Sequence, residues 1–159
     1  MEGQHIMRKI LASIFVFFSL SAAALACPTY QYTGQTYSYD GDYLYTPRTQ
    51  TVVAGGENSL RDCGFAHDGY FTTAPDFSFN LSGMGDYYLV LDVVSNCDAA
   101  LLVNAATTTW YYDDDTNGNF DPKVTLDFLE DLQGRVDVWV GTYDGQYCDA
   151  ELTLETFLY

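Results

Sequence analysis

The chain has 159 residues, and its 22 acidic residues against 6 lysines and arginines give a formal net charge of −16 at pH 7. That charge excludes a role in binding the phosphate backbone of nucleic acid, which requires clustered cations. Acidic chains can be disordered, but 48% of these residues are hydrophobic and 16% are aromatic, so we expect a folded domain.

The N-terminus has the layout of a secretory signal peptide. Arg8 and Lys9 precede an apolar run over residues 10–20, and small residues follow up to Ala26. This order predicts cleavage after residue 26 and export to the periplasm or the medium, and the apolar run is short for a bilayer span. An alternative is a lipoprotein box over residues 24–27, with Cys27 as the acylated residue. The remaining residues are enough for one domain, and they contain no further stretch long enough to span a membrane.

All four cysteines follow the predicted signal peptide. An even number in an exported chain predicts two disulfides, for which three pairings are possible. Cys97 and Cys148 each begin a Cys-Asp-Ala segment that opens a strand after a tight turn. We therefore predict that Cys97 pairs with Cys148 and that Cys27 pairs with Cys63. Zinc is the rival interpretation, but the chain has no C-x-x-C pair.

Residues 27–48 differ from the rest because they are rich in tyrosine and poor in aliphatic residues. We expect an edge strand and a loop across one end of the fold. Tyr30, Tyr32, Tyr37 and Tyr39 could form an exposed strip for a polymer. Alternatively, they close the domain by packing, with their hydroxyls at the surface.

Residues 49–159 show the alternation of apolar and polar side chains that is typical of half-buried strands. Turn sequences separate these runs, among them those at residues 82–85, 117–118 and 144–145. Residues 127–132 are interpreted as a strand end and a connection. The pattern predicts an all-β, antiparallel, jelly-roll-like sandwich. The apolar sets expected on shared faces are Phe77, Phe79 and Leu81; Leu89, Leu91 and Val93; Val124, Leu126 and Phe128; Val136, Val138 and Val140; and Ala150, Leu152 and Leu154.

Several segments of residues 49–159 together carry a family resemblance. They are Ala74-Pro75-Asp76-Phe77, the run from Cys97 to Asn104, Trp110 with Asp113-Asp114-Asp115, the run from Gly134 to Tyr143, and Glu155-Thr156-Phe157. In these segments the chain resembles the pre-peptidase C-terminal domains of exported bacterial proteins. The resemblance implies a β-sandwich without catalysis of its own, acting as a binding or accessory module of a secreted peptidase or hydrolase.

The residues themselves offer little for catalysis. Only one histidine, His67, follows the predicted signal peptide, and no G-x-S-x-G motif is present. His67 beside Asp68 in a glycine-rich loop is typical of a solvated loop residue. We therefore predict that the chain is not an enzyme. The alternative is a hydrolase activity associated with a peptidase, which a His67→Ala variant would test.

The stretch WYYDDDTNGNFDP, residues 110–122, contains most of a calcium loop. Oxygen ligands on alternate residues converge when the chain wraps round an ion, and glycine at the sixth place allows the sharp turn. Val124 stands where a strong site has a bidentate glutamate, so only a weaker site is predicted. The alternative is a plain hairpin turn that reverses at Asn117-Gly118. The candidate ligands are Asp113, Asp115, Asn117, the carbonyl of Asn119, and Asp121.

Three consecutive aromatics precede this loop. Alternation places Trp110 and Tyr112 on one side of a strand and Tyr111 on the other. Stacking of these rings on sugars would make the chain a calcium-assisted carbohydrate-binding module with an extracellular polysaccharide as partner, whereas burial is the commoner fate of tryptophan. Trp139 is expected to cover the second face of a sheet or to pack under a loop.

Overall fold

The computed structural model describes residues 26–159, so the predicted signal peptide lies outside the described residues. Within that range no helix has the length and apolar character needed to cross a membrane. Strands dominate the described part of the chain. In order, the elements are β1 (Gln35–Asp40), α1 (Gly41–Leu44), β2 (Arg48–Ala54), β3 (Asn58–Ser59), β4 (Tyr70–Phe71), β5 (Phe77–Ser82), β6 (Tyr87–Ser95), β7 (Ala99–Asn104), β8 (Trp110–Asp113), β9 (Lys123–Leu126), α2 (Leu129–Leu132), β10 (Gly134–Thr142) and β11 (Cys148–Leu158).

The strands form two sheets, which confirms the predicted all-β fold. Sheet A has seven strands; β1, β5, β10, β4 and β3 follow one path, β7 pairs with β10, and β8 pairs with β7. Sheet B has four strands in the order β2, β11, β6, β9. The pairing differs from the antiparallel prediction at one place, because β1 runs parallel to β5.

The core lies between the two sheets and contains alternate residues of both. The predicted faces of β5, β6, β10 and β11 are confirmed, because all their apolar members are buried. Polar side chains at the intervening positions then face outward, as the two-residue period of a strand requires. The largest inward side chains include Phe79, Leu89, Leu91, Leu101 and Leu126.

The prediction for residues 127–132 is wrong in two respects. Strand β9 ends at Leu126, so Phe128 leaves the inner face and is 59% exposed. The residues that follow form the single turn of α2 rather than a plain connection. The physical reason is tertiary: the buried Asp131 accepts hydrogen bonds from the hydroxyls of Thr107 and Tyr111, which hold this turn against the end of sheet A.

Both predicted disulfides are present. Cys97 lies between β6 and β7, and Cys148 begins β11 after β10. Each of these connections crosses from one sheet to the other, so the two cysteines meet where the sheets join, with Cα atoms 6.3 Å apart. Cys27 bonds Cys63 with Cα atoms 5.6 Å apart, and its sulfur is therefore not free for acylation.

The tyrosine-rich segment is part of the sandwich. Its strand β1 is the edge of sheet A, and Tyr37 and Tyr39 pack against the core between the sheets. Gln50 of β2 joins them to sheet B, because its side chain accepts from the Tyr37 hydroxyl at 2.7 Å and donates to the Tyr39 hydroxyl at 3.4 Å. The sequence did not indicate helix α1, which Asp40 caps by accepting from the Tyr43 backbone N–H at 2.7 Å.

The side chain of Asp76 supplies a hydrogen-bond acceptor to the backbone of strand β10 in sheet A. It precedes β5, and its Oδ2 accepts a hydrogen bond from the Val140 N–H of β10 at 2.7 Å. Burial raises the pKa of the Asp76 carboxyl from 3.8 to about 7, although the Val140 hydrogen bond lowers it. The folded chain therefore binds a proton at Asp76 more tightly than the unfolded chain does.

A substitution at Asp76 should change the pH dependence of stability. Because the folded pKa lies above the unfolded one, the contribution of this carboxyl is fully present below pH 3.8 and is lost as pH rises to about 7. Asp76→Asn keeps an acceptor for Val140 and removes the titration. Between pH 3.8 and about 7, the free energy of unfolding of Asp76→Asn should therefore rise relative to that of the wild type, by at most about 4 kcal/mol.

Urea unfolding at a series of pH values measures the difference between the two proteins. Asp62→Asn, at an exposed loop position, is the control. Parallel profiles for Asp76→Asn and the wild type would contradict the assignment.

Candidate binding surface

The outer face of sheet A is covered by the chain itself over β7, β8 and β10. Residues 26–34 and residues 60–69 lie over it, and the Cys27–Cys63 disulfide joins these two covering segments. A second hydrophobic cluster fills the space beneath them. Its buried members are Leu60, Phe71, Ala100, Leu102 and Trp139, with Phe65, Trp110 and Tyr112 packed against them.

Polar contacts attach the N-terminal covering segment to sheet A. Arg135 donates from Nε to Asp137 Oδ1 at 2.9 Å and from Nη2 to the carbonyls of Tyr30 and Tyr32. Asp137 is buried and also accepts from the Ser78 hydroxyl at 2.5 Å. Gly34 passes so close that a Cβ there would lie 2.4 Å from the Pro75 carbonyl oxygen. The segment is therefore held by buried charge pairing and by close backbone approach.

The three aromatics predicted as a sugar platform all have packing partners. Trp110 contacts the rings of Tyr30, Phe65 and Trp139, with centroid distances of 6.2, 5.3 and 5.3 Å. Tyr111 points the other way, into the main core, and its hydroxyl donates to Asp131. Burial is the main cause that raises the pKa of Tyr111 to about 12, and the hydrogen bond to Asp131 adds to it.

Tyr112 carries the ring of His67 at a centroid distance of 4.3 Å and an interplanar angle of 17°. His67 is exposed, and the carboxylate of the neighbouring Asp68 binds Arg61 in two hydrogen bonds instead of the imidazole. The sequence motif His67-Asp68 is therefore part of the loop that covers sheet A.

Three of the five candidate calcium ligands, Asp113, Asn117 and Asp121, make side-chain hydrogen bonds. Asp113 Oδ2 accepts from the Lys123 N–H at 2.8 Å and from Thr116. The buried Asp121 Oδ1 accepts from the backbone and the hydroxyl of Ser95, both at 2.9 Å. Asn117 donates its side-chain amide to the Val93 carbonyl at 3.1 Å. These contacts connect the loop to β6.

The chain reversal in this loop is displaced from the predicted position. Asn119 and Phe120 have φ values of 56° and 63°, and the Asp121 N–H donates to the Gly118 carbonyl at 3.0 Å. Two consecutive positive φ values define a type I′ turn. The turn is thus centred on Asn119-Phe120 rather than on Asn117-Gly118, because Asn117 and Asp121 pair across the base of the turn.

Carboxylates of the loops that follow β6, β8 and β10 lie near one another. Burial is the main cause that raises the pKa of Asp98, and repulsion from Asp115, Asp144 and Asp114 adds to it. Burial and repulsion from Asp115 also raise the pKa of Asp114. In residues 26–159, however, no three His, Cys, Asp or Glu side chains converge closely enough to hold a metal ion. Calcium binding here stays a prediction.

The predicted tyrosine strip is divided between packing and exposure. Tyr37 and Tyr39 stack on Phe79 at 5.7 and 6.0 Å, whereas Tyr30 and Tyr32 are exposed. Beyond them, Tyr43 stacks on Tyr39, and the Arg48 guanidinium lies 3.8 Å from the centroid of the Tyr43 ring.

The outer face of sheet B contrasts with that of sheet A, and we refer to it as the open face. Every outward side chain of its strands is exposed or half-buried. The open face is acidic, since Lys123, which is paired in register with Asp92, is its one basic side chain within the described strands. Its outward residues are Thr49, Thr51 and Val53 of β2; Asp149, Glu151, Thr153, Glu155 and Phe157 of β11; Tyr88, Val90, Asp92 and Val94 of β6; and Lys123 and Thr125 of β9.

Apolar side chains are exposed at both ends of the open face. At one end Tyr88 stacks on Phe157 at 5.4 Å and contacts Tyr159 at 5.8 Å. At the other end a groove of about 540 Å³ separates Val53 from Val94, which are 58% and 55% exposed. Exposed apolar side chains that are grouped in this way, with polar residues between them, are typical of interaction surfaces.

Sequence reasoning did not identify the open face. The outward residues of β2, β6 and β11 form an alternating pattern of Thr, Val, Asp and Glu, which indicates only that they lie outside the core. Whether an outward face stays open depends on which loops fold over it, and those contacts join residues far apart in the chain. Arg135 and Tyr32, for example, are separated by 103 positions.

Comparison with known proteins gives similarity at the level of structure only. No family model matches the chain, and no curated protein matches it. One similar structure is the pre-peptidase C-terminal domain of collagenase from Bacillus anthracis, with a TM-score of 0.46 and 9% identity over 77% of this chain and 96% of that chain. A domain of the family that the sequence resembles is thus among the structures similar to this chain.

A second similar structure is Aeromonas hydrophila PliG, a periplasmic lysozyme inhibitor of g-type lysozyme. Its TM-score is 0.42 and its identity 9%, over 79% of this chain and 100% of that chain. The assignment of the fold depends on the strands of this chain, not on these two similarities.

Breaking the disulfide of the covering segments should expose both tryptophans. Trp110 and Trp139 are the two tryptophans of the chain, and both belong to the cluster under the cover. In a Cys27→Ser/Cys63→Ser variant, acrylamide quenching of tryptophan fluorescence should rise at least about twofold, and the free energy of unfolding should fall by roughly 3–4 kcal/mol.

The matched control is Cys97→Ser/Cys148→Ser, which opens the other disulfide away from the tryptophan cluster. Its folded state should keep the low quenching of the wild type. Equal quenching of the two variants would contradict the assignment of the cover.

Proposed function

We propose that the chain is an exported, non-catalytic binding domain that assists a secreted peptidase or hydrolase, and that it docks through the open face of sheet B. One observation carries the proposal: residues 26–159 cover the outer face of sheet A over β7, β8 and β10 with two segments and a disulfide, yet they leave that of sheet B uncovered.

Export is supported by the cysteines. The two disulfides use Cys27, Cys63, Cys97 and Cys148, and such bonds persist in oxidising compartments outside the cytosol. They also suit a small domain that remains folded outside the cell. The high negative charge favours solubility there.

A protein is the partner that suits the chemistry of the open face. Protein interfaces combine apolar anchors with a polar rim, and the open face has aromatic and valine groups separated by Glu151, Glu155 and Asp92. These acids select a partner with exposed lysine or arginine and oppose a second copy of this acidic chain. The absence of catalysis in the proposal agrees with the contacts of His67 and Asp68, which are directed to Tyr112 and Arg61.

Photo-crosslinking in the producing cells tests the docking surface. Val90 lies at the centre of the open face, and replacing it with p-benzoylphenylalanine should give an adduct with an exported peptidase or hydrolase, identified by mass spectrometry. The same replacement at Asn80, an exposed outward position of β5 in sheet A, is the matched control and should give none.

A Glu151→Lys substitution in the Val90 photo-reactive chain should lower the yield of this adduct several-fold, because it reverses a charge that faces the partner. No adduct from position 90, or equal adducts from positions 80 and 90, would reject the open face as the docking surface.

A second candidate function is a calcium-assisted carbohydrate-binding module. It is supported by the mutual repulsion of Asp98, Asp114, Asp115 and Asp144, which a divalent cation would offset. It requires these side chains to rearrange, because they do not converge on one point in the structure.

Calcium titration of the chelator-treated protein tests this candidate. Under it, millimolar calcium should raise the melting temperature by several degrees beyond the effect of magnesium at equal ionic strength, and Asp115→Asn should remove the difference. Binding to a glycan array should then be lost on chelation. Coincident melting curves in calcium and in chelator would eliminate the candidate.

A further inference from the structure

We infer that the free edge of β2 accepts an extended segment of a partner protein, which adds a strand to sheet B and carries apolar and basic side chains in turn on the side of the strand that faces the groove. The inference rests on the proposed function, because it specifies the partner chemistry at one corner of the open face.

The backbone of β2 is available for pairing. Strand β2 is the first strand of sheet B and pairs with β11 along one side. On its other side, no backbone hydrogen bond from residues 48–54 to any of residues 26–159 is present. Alternate N–H and C=O groups of an edge strand point away from the sheet and can pair with an added chain.

Beyond its first residue, Arg48, strand β2 also lacks the usual protection of an edge. From Thr49 to Gly56 the sequence TQTVVAGG contains no charge and no proline, the features that discourage strand addition. The other edges are less suitable. Strands β8 and β9 have four residues each and carry Asp113 and Lys123, and β1 ends at Asp40 against helix α1. Arg48 begins β2 after Pro47, and the six residues that follow it, Thr49 to Ala54, form the longest uncharged edge segment among the described strands.

The groove beside β2 provides side-chain contacts for an added strand. It is lined by residues of β2, β6 and β11, with Val53 and Val94 exposed on either side. Successive side chains of an added strand alternate between the two faces of the sheet, so every second one lies on the groove side. Aliphatic groups at these positions would contact Val53 and the rim of the groove.

The charges at the groove specify basic residues. Asp149 pairs in register with Val53, and Glu151 pairs with Thr51 on one side and with Val94 on the other. Strands lie about 4.8 Å apart, so a lysine or arginine on the added strand can extend across β2 to these carboxylates. Within residues 26–159, no cationic side chain lines the groove. A segment that carries valine-like and lysine-like residues in turn at every second position, on the groove side, therefore satisfies both the apolar rim and the acids.

A binding assay with three synthetic peptides tests the inference on the chain from residue 27 to 159. The first is an 11-residue fluorescein-labelled peptide. Threonine occupies every odd position, and valine and lysine take the even positions in turn, so that both face the groove. In the second, glutamate replaces each lysine, and in the third, two prolines interrupt the strand while the charge is unchanged. Fluorescence anisotropy at 150 mM salt measures affinity, and amide hydrogen exchange locates the site.

We expect the valine-lysine peptide to bind and to slow exchange of the β2 amides. The glutamate peptide should bind at least about tenfold more weakly, because it meets Asp149 and Glu151. The proline peptide should also bind at least about tenfold more weakly, because proline removes N–H donors. Since its charge equals that of the first peptide, it separates strand addition from attraction to an acidic protein.

Val53→Lys should lower the affinity for the valine-lysine peptide at least about tenfold, because it adds a cation and removes an apolar contact at the groove. Thr125→Lys adds the same charge to an exposed position at the opposite edge of the open face and should change affinity less than about twofold. Glu151→Gln, which is nearly isosteric, gives a second probe of the groove and should weaken the peptide several-fold. Circular dichroism verifies that all three variants remain folded.

Several results would overturn the inference. The first is binding of the proline peptide as tight as that of the valine-lysine peptide. The second is equal affinity of the valine-lysine peptide for Val53→Lys and for the wild type. The third is protection of amides outside β2. Self-association that Val53→Lys abolishes would instead assign the edge to a second copy, and protection of β2 by a soluble polysaccharide would assign it to a glycan. If the peptide fails while the crosslink from position 90 persists, the docking surface stands and strand addition at β2 is rejected.

Discussion

The close packing of sheet A on sheet B is the interaction on which the rest of the structure depends. Strand residues alternate between two sides, so burial of Phe79, Leu91, Val138 and Leu152 in one layer determines which side chains remain outside. A shift of one residue in any strand would move its apolar set to the wrong side. The outward surfaces on which function depends are therefore a consequence of the inner packing.

The outward surfaces of the two sheets differ in whether the chain covers them. Sheet A buries polar as well as apolar side chains under its cover, and Asp137 is tolerated there because Arg135 and Ser78 satisfy its oxygens. A buried carboxylate without such partners would be costly. Sheet B has no such cover in the described chain and keeps its acids in water. This asymmetry separates a structural side of the domain, held by Cys27–Cys63, from a side that is free to contact a partner.

The loop of residues 110–122 shows how a chemical motif can serve the fold. Its acids alternate as calcium ligands do, but Asp113 and Asp121 accept hydrogen bonds from Lys123 and Ser95 and so shape the turn between β8 and β9. The same segment begins with β8, whose Trp110 and Tyr112 lie on the outer face of sheet A. Carboxylate oxygens that satisfy backbone donors are a normal component of turns. The motif is therefore consistent with two roles that sequence spacing alone does not separate.

The sequence by itself determined the fold class and the inward faces of β5, β6, β10 and β11, because alternation is a local property. It also predicted both disulfide pairings, because the repeated Cys-Asp-Ala segment marks Cys97 and Cys148 as equivalent. It could not place the end of β9 at Leu126, the turn of α2 or the reversal at Asn119-Phe120, since hydrogen bonds to distant residues such as Tyr111 and Val93 decide them. Nor could it distinguish the covered face from the open one. That difference arises only when residues 26–34 and 60–69 fold over sheet A, and the free energy of that contact belongs to the tertiary structure.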